Sequence, residues 1–291
     1  MTDDQLISGR FAVVGNPIEH TLSPRIHAAF ARQGRRQIDY RAERVEVDDF
    51  ESWVSAFFST EGRGLNVTLP FKTCAFDMAD TASDRARLTG AANFLTANEE
   101  GGIHADNTDG KGLLTDVTAN AGWTLEGARI LVLGAGGAVK GVIPSLLDAG
   151  PAALVIANRT AERAEALVAE WSAQPIPVSG GGYAQALGTP WDVIINGTST
   201  GLSDRMPALP SETVLAEGCC CYDMAYGKCP TPFMRWAAEQ GASEARDGLG
   251  MLVEQAAESF YLWIGEYPDT QPVIAHLRQH LAPFDQVLPS R

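Results

Sequence analysis

The segment Arg129-Ile-Leu-Val-Leu133 runs directly into Gly134-Ala-Gly136-Gly137-Ala-Val-Lys-Gly141. A short, continuously apolar strand that breaks into a glycine loop and then a helix leaves few folds open. It reads as the start of a βαβ unit whose loop presents backbone N–H groups at the positive end of a helix. Gly134 permits the tight turn, and Gly136 lets the backbone approach a pyrophosphate. The third glycine of the strict template falls at Val139, so the match is imperfect. From the motif alone, glycines that only make a tight strand-to-helix connection stay open as the alternative.

The helix runs to Ala149 and a second strand to Ala157, where the residues that tell two dinucleotides apart are expected. An NAD site would carry Asp or Glu there, about 20 residues on, for the ribose hydroxyls. This chain has Asn158-Arg159-Thr160-Ala-Glu-Arg163 instead. Arg159 can stack on and pair with a 2′-phosphate, Thr160 can donate a hydrogen bond, and Arg163 lies one helical turn further. A capped helix with two solvated arginines is the bland alternative, but after the glycine loop these residues point to NADP. A helix over about 159–171 and strands at Asp192–Ile195 and Cys219–Tyr222 complete the pattern, with Gly180–Gly182 read as a loop. Residues 109–247 thus form an open, Rossmann-like, doubly wound α/β domain.

The chain has 291 residues, enough for about two domains. Before Asp109, strands are expected at Phe11–Val14, Ile38–Val45, Gly64–Thr68 and Ala91–Thr96, with helices near 48–58 and 72–79. Ser23-Pro24 reads as an N-cap with proline at the first helical position, opening a helix to about Gln33. Asn98-Glu-Glu-Gly-Gly reads as a hairpin turn. After Gly248-Leu-Gly250, helices at 251–264 and 271–281 finish the chain.

Lysine and arginine number 22 against 36 aspartates and glutamates, a net charge of −14. That field disfavours nucleic acid and anionic membrane, so an anionic ligand needs a local concentration of cations and N–H groups. No apolar run approaches the ~20 residues that cross a bilayer. The acidic start, Met1-Thr-Asp-Asp-Gln, lacks the basic and apolar regions of a signal peptide, so the cytoplasm is expected. Five cysteines, three of them consecutive at Cys219–Cys221, suggest neither a disulfide framework nor a metal-binding CxxC set. They read as a buried strand in a reducing compartment.

Polar groups gather at element ends in the first third. Thr21 and Ser23 flank Leu22 before a helix, where hydroxyls and free N–H groups can hold a carboxylate or simply cap the helix. Lys72 follows the strand in Asn66-Val-Thr68-Leu-Pro-Phe, Asn93 lies in another, and Asp106-Asn-Thr-Asp109-Gly sits at the domain boundary. Singly, each is ordinary.

Together they resemble the shikimate dehydrogenase family. The resemblance rests on Gly15–Pro24 with Ile26-His27, Asn66–Lys72, Asp106–Gly110, Gly134–Ala138, Asn158–Thr160 and Asn196-Gly-Thr-Ser-Thr-Gly201. Tyr222–Tyr226 with Thr231-Pro-Phe233, and Asp247–Gln255, continue it in family order over residues 13 to about 272. It implies reversible NADPH-dependent reduction of 3-dehydroshikimate to shikimate in aromatic amino-acid biosynthesis, by a monomer or homodimer. It also implies a substrate domain of residues 1–108, completed by helices in 248–291, and a cleft against the NADP domain.

Carried over, Lys72 and Asp109 are the catalytic pair, and Thr21 and Ser23 hold the substrate carboxylate. Thr68, Asn93, Tyr226 and Gln255, with Asp109, lie around the ring hydroxyls. Gly134, Ala135, Gly136, Gly137, Ala138, Asn158, Arg159, Thr160, Arg163, Met224 and Gly248 contact the cofactor; no metal is implied. A lysine on the carbonyl can give and take the proton while the cofactor handles the hydride. A carboxylate beside an amine favours its charged form, so Asp109 is expected mainly to orient Lys72 and bind a hydroxyl.

Two positions depart from the family pattern. Thr21 stands where serine is usual, and Phe94 follows Asn93 where the pattern reads Asn-Thr. Either strand alternation turns Phe94 into the core, or its ring replaces a substrate-facing hydroxyl. A paralogue acting on quinate or an amino-substituted shikimate, with NAD as a further variant, and a non-catalytic NADP-binding sensor are the competing readings.

Overall fold

The structure is a computed structural model that describes residues 5–98, 101–171, 175–198 and 206–281. The chain divides into two compact units, Met1–Gly112 with Val253–Leu277, and Leu113–Leu252 with Arg278–Arg291. The divisions fall inside helices that begin at Asp109, Leu249 and Gln271.

The first unit contains β1 (Gln5–Gly15), α1 (Ser23–Gln33), β2 (Arg36–Arg44), α2 (Phe50–Phe58), β3 (Gly62–Val67), α3 (Lys72–Asp77), β4 (Thr81–Ala82), α4 (Asp84–Thr89), β5 (Phe94–Ala97) and β6 (Ile103–Asp106). Its sheet has the order β2-β1-β3-β5-β6-β4 and is mixed, with β5 antiparallel to both β3 and β6. Asn98 begins the turn after β5, accepting from the Gly102 N–H through its side chain; Glu99 and Glu100 lie outside the described residues. One face of the sheet buries Ala12, Val14, Leu65, Val67 and Leu95 with Phe50, Val54 and Phe57 of α2. The alternate residues Phe11, Val13 and Tyr40 pack with Ile18 and Trp263. This is the period-two alternation that gives each face of a strand its own core. Helix α1 starts one residue earlier than the Ser23 cap predicts: Leu22 is the cap, and Ser23 is already helical.

The second unit begins within α5 (Asp109–Thr115), which runs on into a π turn over Asp116–Asn120. It holds β7 (Arg129–Leu133), α6 (Gly137–Asp148), β8 (Ala153–Ala157), α7 (Ala161–Ala169), β9 (Val178–Gly181), β10 (Trp191–Asn196), β11 (Leu215–Asp223), α8 (Pro232–Glu239) and β12 (Glu244–Asp247). Helices α9 (Leu249–Ile264) and α10 (Gln271–His280) follow. The sheet is wholly parallel, in the order β12-β11-β10-β7-β8-β9. Numbered from β7, that is 3-2-1-4-5-6, the doubly wound dinucleotide-binding order, with its switch point between β7 and β10. Ile130–Leu133 and Ile194–Asn196 are fully buried, as expected of central strands covered on both faces.

Gly180 and Gly181, expected in a loop, belong instead to β9, the edge strand beside β8. A Cβ on Gly180 would come 2.6 Å from the Ala164 carbonyl oxygen, so the glycine lets α7 lie close against the edge. Cys219–Cys221 lie in β11, with Cys219 and Cys221 buried.

Candidate active site

In the first unit, the loop after β3 delivers Lys72 and the one after β6 delivers Asp109. The Phe71 cap starts α3 at Lys72, whose carbonyl accepts the Ala92 N–H at 2.8 Å, next to Asn93. The Lys72 ammonium meets Asp109 Oδ2 at 2.5 Å, with side chains 22% and 11% exposed. The other oxygen, Oδ1, accepts from Asn93 Nδ2 at 2.7 Å. Asn93 is itself held: its Oδ1 accepts the Thr108 N–H at 2.8 Å, and its Nδ2 also reaches Gln255 Oε1 at 3.3 Å. The structure therefore brings Lys72, Asp109, Asn93 and Gln255 into one hydrogen-bonded array.

Thr21 and Ser23 form a second, linked pair. Thr21 Oγ1 donates to Ser23 Oγ at 3.1 Å and accepts the Ser23 N–H at 3.3 Å. Ser23 also lies beside the hydroxyl of Tyr40, whose phenol burial pushes well above its ordinary range. Thr68 directly follows β3, its N–H bonded to the Val14 carbonyl at 3.0 Å. Phe94 is 1% exposed, its ring stacked on Trp263 at 5.0 Å. Strand alternation has turned it into the core, away from the face that Asn93 presents to Asp109.

Sequence reasoning singled out neither Asn66 nor Tyr40 as a site residue. Tyr40 donates to Asn66 Oδ1 at 2.7 Å, while Asn66 Nδ2 donates to the Asn93 carbonyl at 3.2 Å and to Ser259 at 3.0 Å. His27 stacks on Tyr40 at 4.2 Å, its buried ring nitrogens have no hydrogen-bond partner among the described residues, and burial, opposed in small part by the nearby Asn66 side chain, pushes it down to about 3. The signal for Asn66 was present: a polar residue at a buried position of an otherwise apolar strand.

In the second unit the predicted cofactor residues lie at the carboxyl edge of the parallel sheet. Gly134, at φ 105°, follows β7, and a Cβ there would stand 3.0 Å from the Gly197 carbonyl oxygen. Gly136 caps α6, and among the described residues Cβ atoms on Gly136 or Gly137 would meet nothing within 4 Å. Open space before the bare backbone at a helix N-terminus fits a bound pyrophosphate. A Cβ on Gly197 would strike Val139 Cγ2 at 2.4 Å, so the smallness that the template asks of position 139 is supplied by the facing loop.

Asn158 follows β8 and bonds the Thr160 carbonyl at 2.9 Å. Thr160 caps α7 without a side-chain bond to it, and Arg159, Thr160 and Arg163 are exposed. Two guanidinium groups and a hydroxyl uncommitted to the helix cap suit a 2′-phosphate. Met224 follows β11, and its backbone excludes any side chain at Gly248, where a Cβ would come within 2.3 Å of the Met224 oxygen. Tyr226, half-buried, is pushed up by burial and by the charge of Asp247. Of Asn196–Gly201, Ser199, Thr200 and Gly201 lie outside the described residues.

Three family models match the chain: the shikimate dehydrogenase substrate binding domain over residues 13–95, shikimate / quinate 5-dehydrogenase over 117–203, and the shikimate 5′-dehydrogenase C-terminal domain over 248–278. The NADP(+)-dependent shikimate dehydrogenase of Alkalilimnicola ehrlichii is 53% identical over 94% of this chain and 99% of its own. The crystal structure of an Ael1 enzyme from Pseudomonas putida is 46% identical, covering 95% of this chain and all of its own, with a TM-score of 0.87. Shikimate 5-dehydrogenase from Thermus thermophilus, solved with NADP(H) and shikimate, is 33% identical over 94% of this chain and 99% of its own, with a TM-score of 0.82. The chain belongs to the shikimate dehydrogenase family.

Proposed function

We infer that the protein is an NADP-dependent oxidoreductase that interconverts 3-dehydroshikimate and shikimate, a step of aromatic amino-acid biosynthesis in the cytoplasm. The observation that carries this reading is the Asn93–Asp109–Lys72 array, held at 2.7 Å and 2.5 Å by groups that a bland solvated lysine would not have. NADP(H), when bound, supplies or takes up the hydride. Gly134–Ala138 and the α6 N-terminus would hold its pyrophosphate and Arg159, Thr160 and Arg163 its 2′-phosphate, with Asn158, Met224 and Gly248 as further cofactor contacts.

The chain's own task is to place the substrate and move one proton. Thr21 and Ser23 donate their hydroxyls to the substrate carboxylate, and Thr68, Asn93, Asp109, Tyr226 and Gln255 serve the ring hydroxyls. In the direction of reduction, the Lys72 ammonium gives a proton to the carbonyl oxygen as it becomes a hydroxyl, leaving a neutral amine that solvent reprotonates. In oxidation the amine accepts that proton. Asp109 holds Nζ in place through Oδ2, and Asn93 holds Asp109 through Oδ1, which fixes the donor before substrate arrives.

Phe94 is the departure that most threatened a shikimate substrate, and its packing against Trp263 takes the ring out of the polar array. The test is an assay of NADP⁺ reduction with shikimate, run in parallel with quinate and with NAD⁺. Turnover with shikimate and NADP⁺ well above the other combinations is expected. Preference for quinate or NAD⁺ would support the paralogue, and absence of turnover would support the sensor.

A further inference from the structure

Arg85, which the mechanism does not use, lies at the centre of a charge cluster in the first unit. It sits on α4, its side chain 34% exposed. Its fork takes Asp106 with Nε on Oδ1 at 3.0 Å and Nη2 on Oδ2 at 2.6 Å. Its remaining nitrogen, Nη1, donates to Glu258 Oε1 at 2.9 Å. Both carboxylates are nearly buried, at 6% and 8% side-chain exposure. Each is also held by a hydroxyl, Asp106 by Ser83, and Glu258 by Tyr267 at 2.6 Å.

The places of these two carboxylates in the chain are telling. Asp106 ends β6, three residues before Asp109, and its Oδ1 accepts the Asn107 N–H at 2.6 Å. Asn107 in turn accepts the Asp109 N–H at 3.1 Å. Glu258 lies on α9 three residues after Gln255, about one helical turn. One guanidinium thus grips the segment that carries Asp109 and the helix that carries Gln255. These are the two groups that meet at Asn93.

We propose that Arg85 is a positioning residue that registers the Asp106–Asp109 segment against α9 and so sets where Gln255 stands relative to Asp109. A bidentate pair on one partner and a third N–H on another needs the planar fork; the point charge of a lysine cannot span both. With the fork gone, one of two nearly buried carboxylates loses its counter-charge, and the Asp106–Asp109 segment keeps only the long Thr108 contacts to Gln255 and Ser259, both at 3.4 Å, as ties to α9. Gln255 is then no longer presented at a fixed distance from Asp109, and binding of a ring hydroxyl weakens. The inference rests on the functional reading above, because Gln255 is taken there as a substrate ligand.

The experiment is a double-mutant cycle on Arg85→Lys and Gln255→Ala, following KM for shikimate, kcat and melting temperature. Arg85→Lys is expected to raise KM roughly 3- to 10-fold, the worth of one hydrogen bond, with kcat changed less than KM. In the Gln255→Ala background the same change is expected to leave KM within about twofold, although it still lowers the melting temperature. A merely structural arginine would raise KM equally in both backgrounds, or in neither, and either result overturns the proposal. Glu258→Ala removes the acceptor on α9 while keeping Arg85 on Asp106, and serves if Arg85→Lys does not fold; it is expected to show the same dependence on Gln255. Absence of shikimate turnover in the unmodified protein would overturn the functional reading instead, so the two failures are distinct.

Discussion

Lys72 and Asp109 are 37 residues apart in the chain, yet ammonium and carboxylate meet at 2.5 Å. Each stands at the start of a helix directly after a strand of the same mixed sheet, α3 after β3 and α5 after β6. The backbone bond from Ala92 to the Lys72 carbonyl and the side-chain bond from Asn93 to Asp109 fix that meeting from the β5 side. The amine is therefore set before a substrate arrives.

Lys72→Ala removes the proposed proton donor but leaves Asp109 held by Asn93. The expected outcome is a fall in kcat of about 10²–10⁴-fold, the usual worth of a positioned acid–base group. Shikimate affinity should change far less, and the melting temperature should stay near that of the parent. Steady-state kinetics with NADP⁺ checks this; a kcat close to the parent value removes Lys72 from the mechanism.

Arg159→Ala should weaken NADP and spare NAD. Loss of a charge-assisted phosphate contact costs about 1.5–3 kcal/mol, or roughly 10–150-fold in affinity. Calorimetric titration with both cofactors at low and high salt is the measurement. The NADP advantage of the parent should shrink as salt rises, because Arg159 is exposed and screened. Equal losses for both cofactors would mean that Arg159 supports the fold and reads no phosphate.

Phe94→Thr deletes most of a buried ring that stacks on Trp263. Its expected cost is about 3–5 kcal/mol of stability, as for other large-to-small aromatic changes in cores. KM for shikimate should be nearly unchanged in the protein that remains folded. A stable variant with a lowered KM would place the ring in the substrate pocket after all.

His27 links stability to pH. Burial holds the folded imidazole at about 3, against 6.5 when unfolded, so below pH 6.5 the unfolded chain takes up a proton that the folded chain refuses. The stability contribution is full above pH 6.5 and is lost as pH falls towards 3. Asp223 works in the opposite sense: burial raises its carboxyl from 3.8 to about 6, so folding gains as pH falls through that window. His27→Leu removes only the first effect. Urea denaturation should show the variant gaining on the parent by up to about 2 kcal/mol between pH 6.5 and 5, and a gap that stays constant would contradict it.

The second unit was legible because its signals are local. Arg129–Gly137 carries strand, turn and helix start within nine residues, and Asn158–Arg163 carries the proposed phosphate-binding set within six. Edge elements were harder. β12 reads Glu-Ala-Arg-Asp and β9 ends in two glycines, so neither shows the apolar run that marks a central strand. In the first unit, Lys72, Asp109 and Asn93 were legible through the family resemblance. The partners that hold them were not: Asn66 meets Ser259 across 193 residues and Asn93 meets Gln255 across 162. No local pattern reports a bond that the fold alone creates. Phe94 lies between these cases, since alternation allowed both faces and only the position of Trp263 decided.

The contact between Val139 and Gly197 makes two distant positions a single heritable constraint. A methyl group at 197 is blocked while valine stands at 139, since it would come within 2.4 Å of Val139 Cγ2, and Met224 Sδ at 2.9 Å narrows the space further. Order of substitution therefore matters for any lineage that drifts through this site. Position 139 has to shrink, and the Met224 side chain to give way, before 197 can grow, and once 197 has grown the return of valine is closed. A template that scans one loop at a time records Val139 as a mismatch, whereas a template written on the pair records the same volume, differently apportioned.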